Sequence, residues 1–162
     1  MTRSRLDLNQ LLATHGDRLY GLCVRLDPDP DDAYGAVCEQ LLRASSRFDP
    51  ERGSFRSWSM TVAHRVLVDR FRKRRPTEPL SGREPSGAAP VEDVVVARRR
   101  AERLDQALHR LDPDHRRVVV LHHLHGVPLA TIAETEGVAV GTVKSRLHRG
   151  RGHLAVLMRE DS

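Results

Sequence analysis

Between Arg75 and Val91 the chain carries Pro76, Pro79, Pro85 and Pro90, with Gly82 and Gly87 among them and Ser81 and Ser86 beside the glycines. Proline lacks the donor that a helix needs, and glycine loses the most freedom when it is ordered. No hydrophobic period crosses this stretch, so it reads as a flexible linker. Whatever the 162 residues fold into is therefore built as two blocks. The expected boundaries are 1–75 for the first block, 76–93 for the linker and 94–162 for the second.

Both blocks are patterned for helices. Leu8, Leu11, Leu12, Leu19, Leu22 and Leu26 recur at helical spacing, and Asp27-Pro28-Asp29-Pro30 stops them. Asp31 or Asp32 is the expected cap of a second helix with Ala33, Val37, Leu41 and Ala44 on its apolar face. Residues 45–54 read as a loop, and a third helix carries Phe55, Trp58, Val62 and Val66 on one face as far as Arg75. In the second block Val94, Ala97, Ala101, Leu104, Leu108 and Leu111 keep a three-four rhythm. Asp112-Pro113 is a strong helix start, with Val118, Leu121 and Leu124 facing inward and Gly126 closing the helix. Aromatics are only 4% and strand-like alternation is scarce, so the expectation is an all-α fold of two small helical domains.

The net charge is +5, carried by 27 basic and 22 acidic side chains. The two blocks are basic and the connector between them is acidic. All the basic residues but Lys73 and Lys144 are arginines, whose forked donors suit phosphates and base edges. The alternative is a solvated arginine-rich surface, and composition alone does not choose.

Pro128 to Arg151 reads PLATIAETEGVAVGTVKSRLHRGR: a short helix, a glycine-containing turn and a longer basic helix. That is a helix-turn-helix pattern. Val140, Val143 and Leu147 would pack on Ile132 and Ala133. The other face then carries Thr142, Ser145, Arg146 and Arg149, with Lys144 and Arg151 on its flank. From Gly137 to Met158 there is no acidic residue. A helix entering the major groove needs such a face. In the first block the third helix ends in Arg70, Phe71, Arg72, Lys73, Arg74 and Arg75, a tail able to hold phosphates. Phe48, Phe55 and Trp58 lie just before it, either as platforms for unstacked bases or as core of the bundle.

These blocks resemble regions 2 and 4 of the extracytoplasmic-function (ECF) sigma factors of bacterial RNA polymerase. The first block is similar to region 2 in HGDRLYGLCVRL, DPDDAYGAVCEQLLRA and RFDPERGSFRSWSMTVAHRVLVDRFRKRR. The second is similar to region 4 in LHRLDPDHRRVVVLHHLHGVPLATIAETEGVAVGTVKSRLHRGRGHL. The resemblance implies a transcription initiation factor with core RNA polymerase and promoter DNA as partners. It implies −35 contacts by Thr142, Lys144, Ser145, Arg146, Arg149 and Arg151. Arg47, Phe48, Arg52, Phe55, Trp58, Arg65, Arg72 and Lys73 would melt and capture the −10 element. A helix bearing Asp32, Val37, Glu39 and Gln40 would dock on the β′ clamp helices, and region 4 on the β flap. An anti-sigma factor is a further implied partner. The chain departs from the family's usual pattern at Gly35, Cys38, Ser59 and Arg65. The other reading of these residues is a stand-alone helix-turn-helix regulator that does not engage core polymerase.

No catalytic constellation, CxxC or HExxH stands out, so no enzyme activity, cofactor or metal is expected. His122 and His123 are neighbours about 100° apart on a helix and cannot share one face. Cys23 and Cys38 make no disulfide framework; they read as small buried residues or as a redox pair if the first two helices bring them together. Met1-Thr2-Arg3-Ser4-Arg5 leads into no apolar run, and nothing approaches the ~20 apolar residues of a membrane span. The expected compartment is the cytoplasm. A linker of this kind also permits the two blocks to dock in the free protein with their DNA-binding faces inward.

Overall fold

A computed structural model describes residues 7–74 and 92–161. All regular structure among them is helical: α1 (Leu8–Leu26), α2 (Pro30–Ala44), α3 (Phe55–Lys73), α4 (Glu92–Arg110), α5 (Pro113–Val119), α6 (Leu129–Glu136) and α7 (Val140–Glu160). A 3₁₀ turn, Ser45–Arg47, follows α2, and α5 runs on into a π-helical turn, Val120–Leu124. The all-α expectation holds. The expected linker lies outside the described residues up to residue 91, and α4 already begins at Glu92.

Caps set the helix starts. Asp7, Asp29, Ser54 and Asp112 each accept a backbone N–H of the helix that follows. The cap of α2 is thus Asp29 and not Asp31 or Asp32. Pro30 takes the first helical position, where no N–H is needed, so the helix starts earlier than the acidic pair. Gly126 and Gly137 sit at φ +67 and +68, the left-handed region that ends helices cheaply.

In the first block Leu19, Leu22, Val37, Leu41 and Leu67 are fully buried between α1, α2 and α3. Of the face expected for α3, Phe55 is buried and Trp58, Val62 and Val66 are half-buried, so the buried arc is turned away from that face. It includes Met60, Ala63, His64, Leu67 and Val68, because α3 packs on α6 as well as on its own block. At the turn between α1 and α2 the buried Asp27 carboxylate accepts the Arg70 Nε at 2.8 Å and a second bond from Arg74. Two of the five basic residues of the tail that ends α3 are thereby committed to the fold.

In the second block Leu108, Val118, Leu121, Ile132 and Val143 are fully buried. The rhythm of α4 buries only its carboxy-terminal part, Ala107, Leu108 and the following Leu111, whereas Val94 is exposed. Helices α5 and α7 pack extensively, and Gly150 of α7 faces Val119 and His115 of α5. A Cβ there would lie 2.8 Å from Val119 Cγ2 and 3.3 Å from the His115 carbonyl oxygen. The two blocks share one apolar cluster, and Arg25 Nε donates to Asp105 across them at 2.9 Å.

Two glycines two residues apart should respond oppositely. Gly150→Ala forces overpacking and is expected to destabilise by about 1–3 kcal/mol. Gly152→Ala meets nothing within 4 Å and should stabilise α7 by about 0.5–1 kcal/mol through helix propensity. Urea unfolding of the two variants checks the signs.

Candidate nucleic-acid interface

Helix α6, Gly137 and α7 form the helix-turn-helix. The turn is closed by Val138 N–H donating to the Ala133 carbonyl at 3.1 Å and by the left-handed Gly137. Ile132, Ala133, Val143 and Leu147 fill the angle between the helices. Thr142, Lys144, Ser145, Arg149 and Arg151 are exposed on α7. Two expectations change. Val140 is 40% exposed and is not part of the packed face. Arg146 is not on the open face: its side chain is 23% exposed, with Nη1 3.1 Å from Glu136 Oε2 and Nη2 3.6 Å from Asp114 Oδ2. The reason is angular. Arg146 follows Val143 by three residues, so it stands only about 60° from the buried stripe.

The carboxylate that holds Arg146 is the chemical centre of this region. Glu136 is the last residue of α6 and is buried. Its Oε1 accepts Arg117 Nε at 2.9 Å and lies 3.2 Å from His64 Nε2 on α3. Its backbone oxygen accepts Arg72 Nη2 at 2.9 Å. Arg117 also bonds Asp114 at 2.6 Å and covers the Phe71 ring at 4.7 Å. Burial pushes the Glu136 carboxyl up, but the His64 hydrogen bond and the Arg117 charge outweigh it and hold it at about 2. Nothing in the sequence reading marked Glu136. The available signal was its position, the last acid before the acid-free stretch and ten residues before Arg146.

In the first block Arg47 and Arg52 are exposed on the loop, and Arg65, Arg72 and Lys73 are exposed along α3. Phe48, Phe55 and Trp58 form a closed triangle with centroids 5.1 to 5.9 Å apart, and His15 adds a fourth ring against Phe55 at 5.3 Å. Phe55 is buried and belongs to the core, so it is removed from the base-stacking set; Phe48 and Trp58 are half-buried at its edge. On α2, Asp32, Glu39 and Gln40 are exposed. Val37 is fully buried, which removes it from any docking face. Turning a valine outward forfeits about 1.5–3 kcal/mol. Leu42, 61% exposed on the same helix, is the apolar residue that the sequence reading missed.

Elsewhere, Cys23 and Cys38 are free thiols. Burial first, and Cys38 second, push the Cys23 thiol up to about 12, which makes it a packing residue. Burial and the charges of Arg25, Arg18 and Arg56 push the His125 imidazole down to about 4. Among the described residues no helix is long and apolar enough to cross a membrane.

Residues 11–77 match the Sigma-70 region 2 model and residues 101–154 the Sigma-70 region 4 model. The ECF RNA polymerase sigma factor SigW of Bacillus subtilis is 31% identical over 160 residues, covering 89% of this chain and 84% of SigW. SigE of Mycolicibacterium smegmatis is 31% identical over 154 residues, covering 90% of this chain but 59% of that longer protein. The crystallised sigma factor RpoE of Bartonella quintana, in complex with the anti-sigma factor NepR, shares the fold at a TM-score of 0.71 and 20% identity, over 96% of this chain and 99% of that one. The chain belongs to the ECF sigma factors of RNA polymerase.

The depressed Glu136 carboxyl makes a pH prediction. Its folded value of about 2 lies below the ordinary 4.5, so the unfolded chain binds more protons between the two. The stabilisation is complete above about pH 4.5 and is lost as pH falls towards about 2. Urea midpoints followed across this window should fall more steeply for the wild type than for Glu136→Gln.

Proposed function

We infer that this chain binds core RNA polymerase and directs it to specific promoters. It reads the −35 element with α7 and captures the melted −10 element with the loop and aromatic edge of the first block. The observation that carries this reading is the acid-free exposed face of α7 on a helix-turn-helix, in a chain whose first block is a region 2 bundle. Thr142, Lys144, Ser145, Arg149 and Arg151 are the residues in place to meet DNA. Arg146 joins them only by leaving Glu136. Arg47, Arg52, Arg65, Arg72 and Lys73 suit the backbone near the −10 element, Arg72 by exchanging its bond to the Glu136 carbonyl, with Phe48 and Trp58 as stacking surfaces. Unstacking costs a few kcal/mol per base, and stacking on an aromatic ring returns about 1–3 kcal/mol.

The polymerase-facing residues in this reading are Asp32, Glu39, Gln40 and Leu42 of α2. The polymerase supplies the chemistry, and the factor acts in the bacterial cytoplasm. An anti-sigma factor is the remaining partner, and exposed apolar residues such as Leu42 and Val156 are surfaces it would cover. The stand-alone regulator has no specific observation in its favour.

Run-off transcription with core polymerase, with and without this protein, tests the reading; no dependence on the protein would sink it. On a promoter found this way, Arg149→Ala is expected to lose about 1–3 kcal/mol of binding and to relax preference at one base pair, whereas Lys144→Ala weakens all sequences alike. Glu39→Arg should reduce core binding in a fluorescence titration, while the loss of its exposed pair with Arg43 lowers stability by no more than about 1 kcal/mol.

A further inference from the structure

A cleft of about 300 Å³ opens where the start of α3 meets the turn that leads into α6. Ser54, Arg56, Ser57 and Thr61 line it from the first block, and His125 and Thr131 from the second. No carboxylate is among its walls. The Ser54 hydroxyl is spent on the Ser57 N–H and the Thr61 hydroxyl on the Ser57 carbonyl, which leaves the hydroxyls of Ser57 and Thr131 to donate into the cleft.

The charge around this space is one-sided. Arg18 of α1 stands close to Arg56, and burial first and the Arg56 charge second lower its pKa. Burial, and then the charges of Arg25, Arg18 and Arg56, push the His125 imidazole down to about 4. Arg25 is answered by Asp105 at 2.9 Å. Among the described residues no carboxylate pairs with Arg18, Arg56 or His125. The Nε of Arg18 and both ring nitrogens of His125 are buried without a hydrogen-bond partner. Other arginines of this chain are neutralised internally, Arg70 and Arg74 by Asp27 and Arg117 by Glu136. Like charges gathered beside orphaned nitrogens cost stability unless something negative answers them.

We propose that this cleft is a binding site for a small phosphorylated anion, its phosphate group bonded by Arg56 and by the hydroxyls of Ser57 and Thr131, with Arg18 and His125 supplying charge behind them. A guanidinium fork and hydroxyl donors are the partners that phosphate oxygens take. Arg56 is exposed, so its fork can turn to the ligand. The volume is at the small end for ligand pockets, which suits a compact anion. A seated anion offsets the charges that keep His125 neutral, so the ring gains affinity for a proton. Because the walls come from both blocks, bound anion also stabilises the arrangement in which they meet, by mass action. None of these residues belongs to the sets assigned above to DNA or to the polymerase.

The test uses the full-length protein with sodium pyrophosphate as the probe and sodium chloride at matched ionic strength as the blank. Calorimetry should show saturable one-to-one binding. The His125 ring resonances, assigned from the spectrum of His125→Gln, should titrate about one pH unit or more higher with pyrophosphate than in chloride, a tenfold gain in proton affinity. Arg56→Gln should weaken binding about tenfold or more, as loss of a charged hydrogen bond requires. Arg99→Ala, which removes an exposed arginine of α4 outside the cleft, should leave it unchanged. If Arg56→Gln fails to fold, Thr131→Val must show the loss instead. Absence of saturation against matched chloride overturns the proposal. So does an equal loss in Arg99→Ala, which would make the attraction diffuse, or an unmoved His125 titration. Binding of a short single-stranded DNA without binding of pyrophosphate overturns it too, since the phosphate would then be that of the nucleic acid.

Discussion

A buried carboxylate at the end of a helix is an expensive choice, and the arrangement of the second block follows from making it tolerable. Glu136 lies at the negative end of α6, where the backbone dipole disfavours an anion, and it is removed from water. Desolvating a charge costs several kcal/mol unless it is well bonded. Arg117 from α5, Arg146 from α7 and His64 from α3 supply those bonds. Three helices besides its own must therefore keep their places relative to α6. Removing the acid would leave Arg117 and Arg146 facing one another with only Asp114 between them.

The same division between scaffold and surface recurs in the first block. Asp27 takes Arg70 and Arg74 from a tail that reads as purely basic, and the core takes Phe55 from an aromatic cluster that reads as a stacking platform. In each case the residue has the chemistry for binding and spends it internally. What remains exposed is a smaller set than residue type suggests, and it is concentrated on α7, on the loop around Arg52 and along the outer side of α3.

Elements of the fold with a strong local cause were legible in the sequence. The stop at Asp27–Pro30, the start at Asp112-Pro113 and the glycine ends at Gly126 and Gly137 follow from backbone chemistry that needs no partner. The core of the first two helices was readable because each buries one regular stripe. Helix α3 was misjudged for the opposite reason: with neighbours on two sides, its buried arc no longer follows a single stripe. The exposed part of α7 was legible from its missing acids. Arg146 was not, since its place depends on Glu136 ten residues earlier and on a guanidinium long enough to reach round the helix. Val37 was legible as core from the stripe it shares with Ala33 and Leu41, and only the family resemblance put it on the docking face.

The internal arginines also bear on how this protein should feel ionic strength. A basic side chain sharpens the salt dependence of DNA binding only when it displaces a counterion from the phosphates. Arg70, Arg74 and Arg117 are neutralised by carboxylates of their own chain, and Arg116 is buried against the carbonyls of Leu108, His109 and Leu111. None of these four releases a counterion while its bonds persist. The slope of affinity against salt is therefore set by the exposed cations that reach phosphates, and these four arginines add nothing to it.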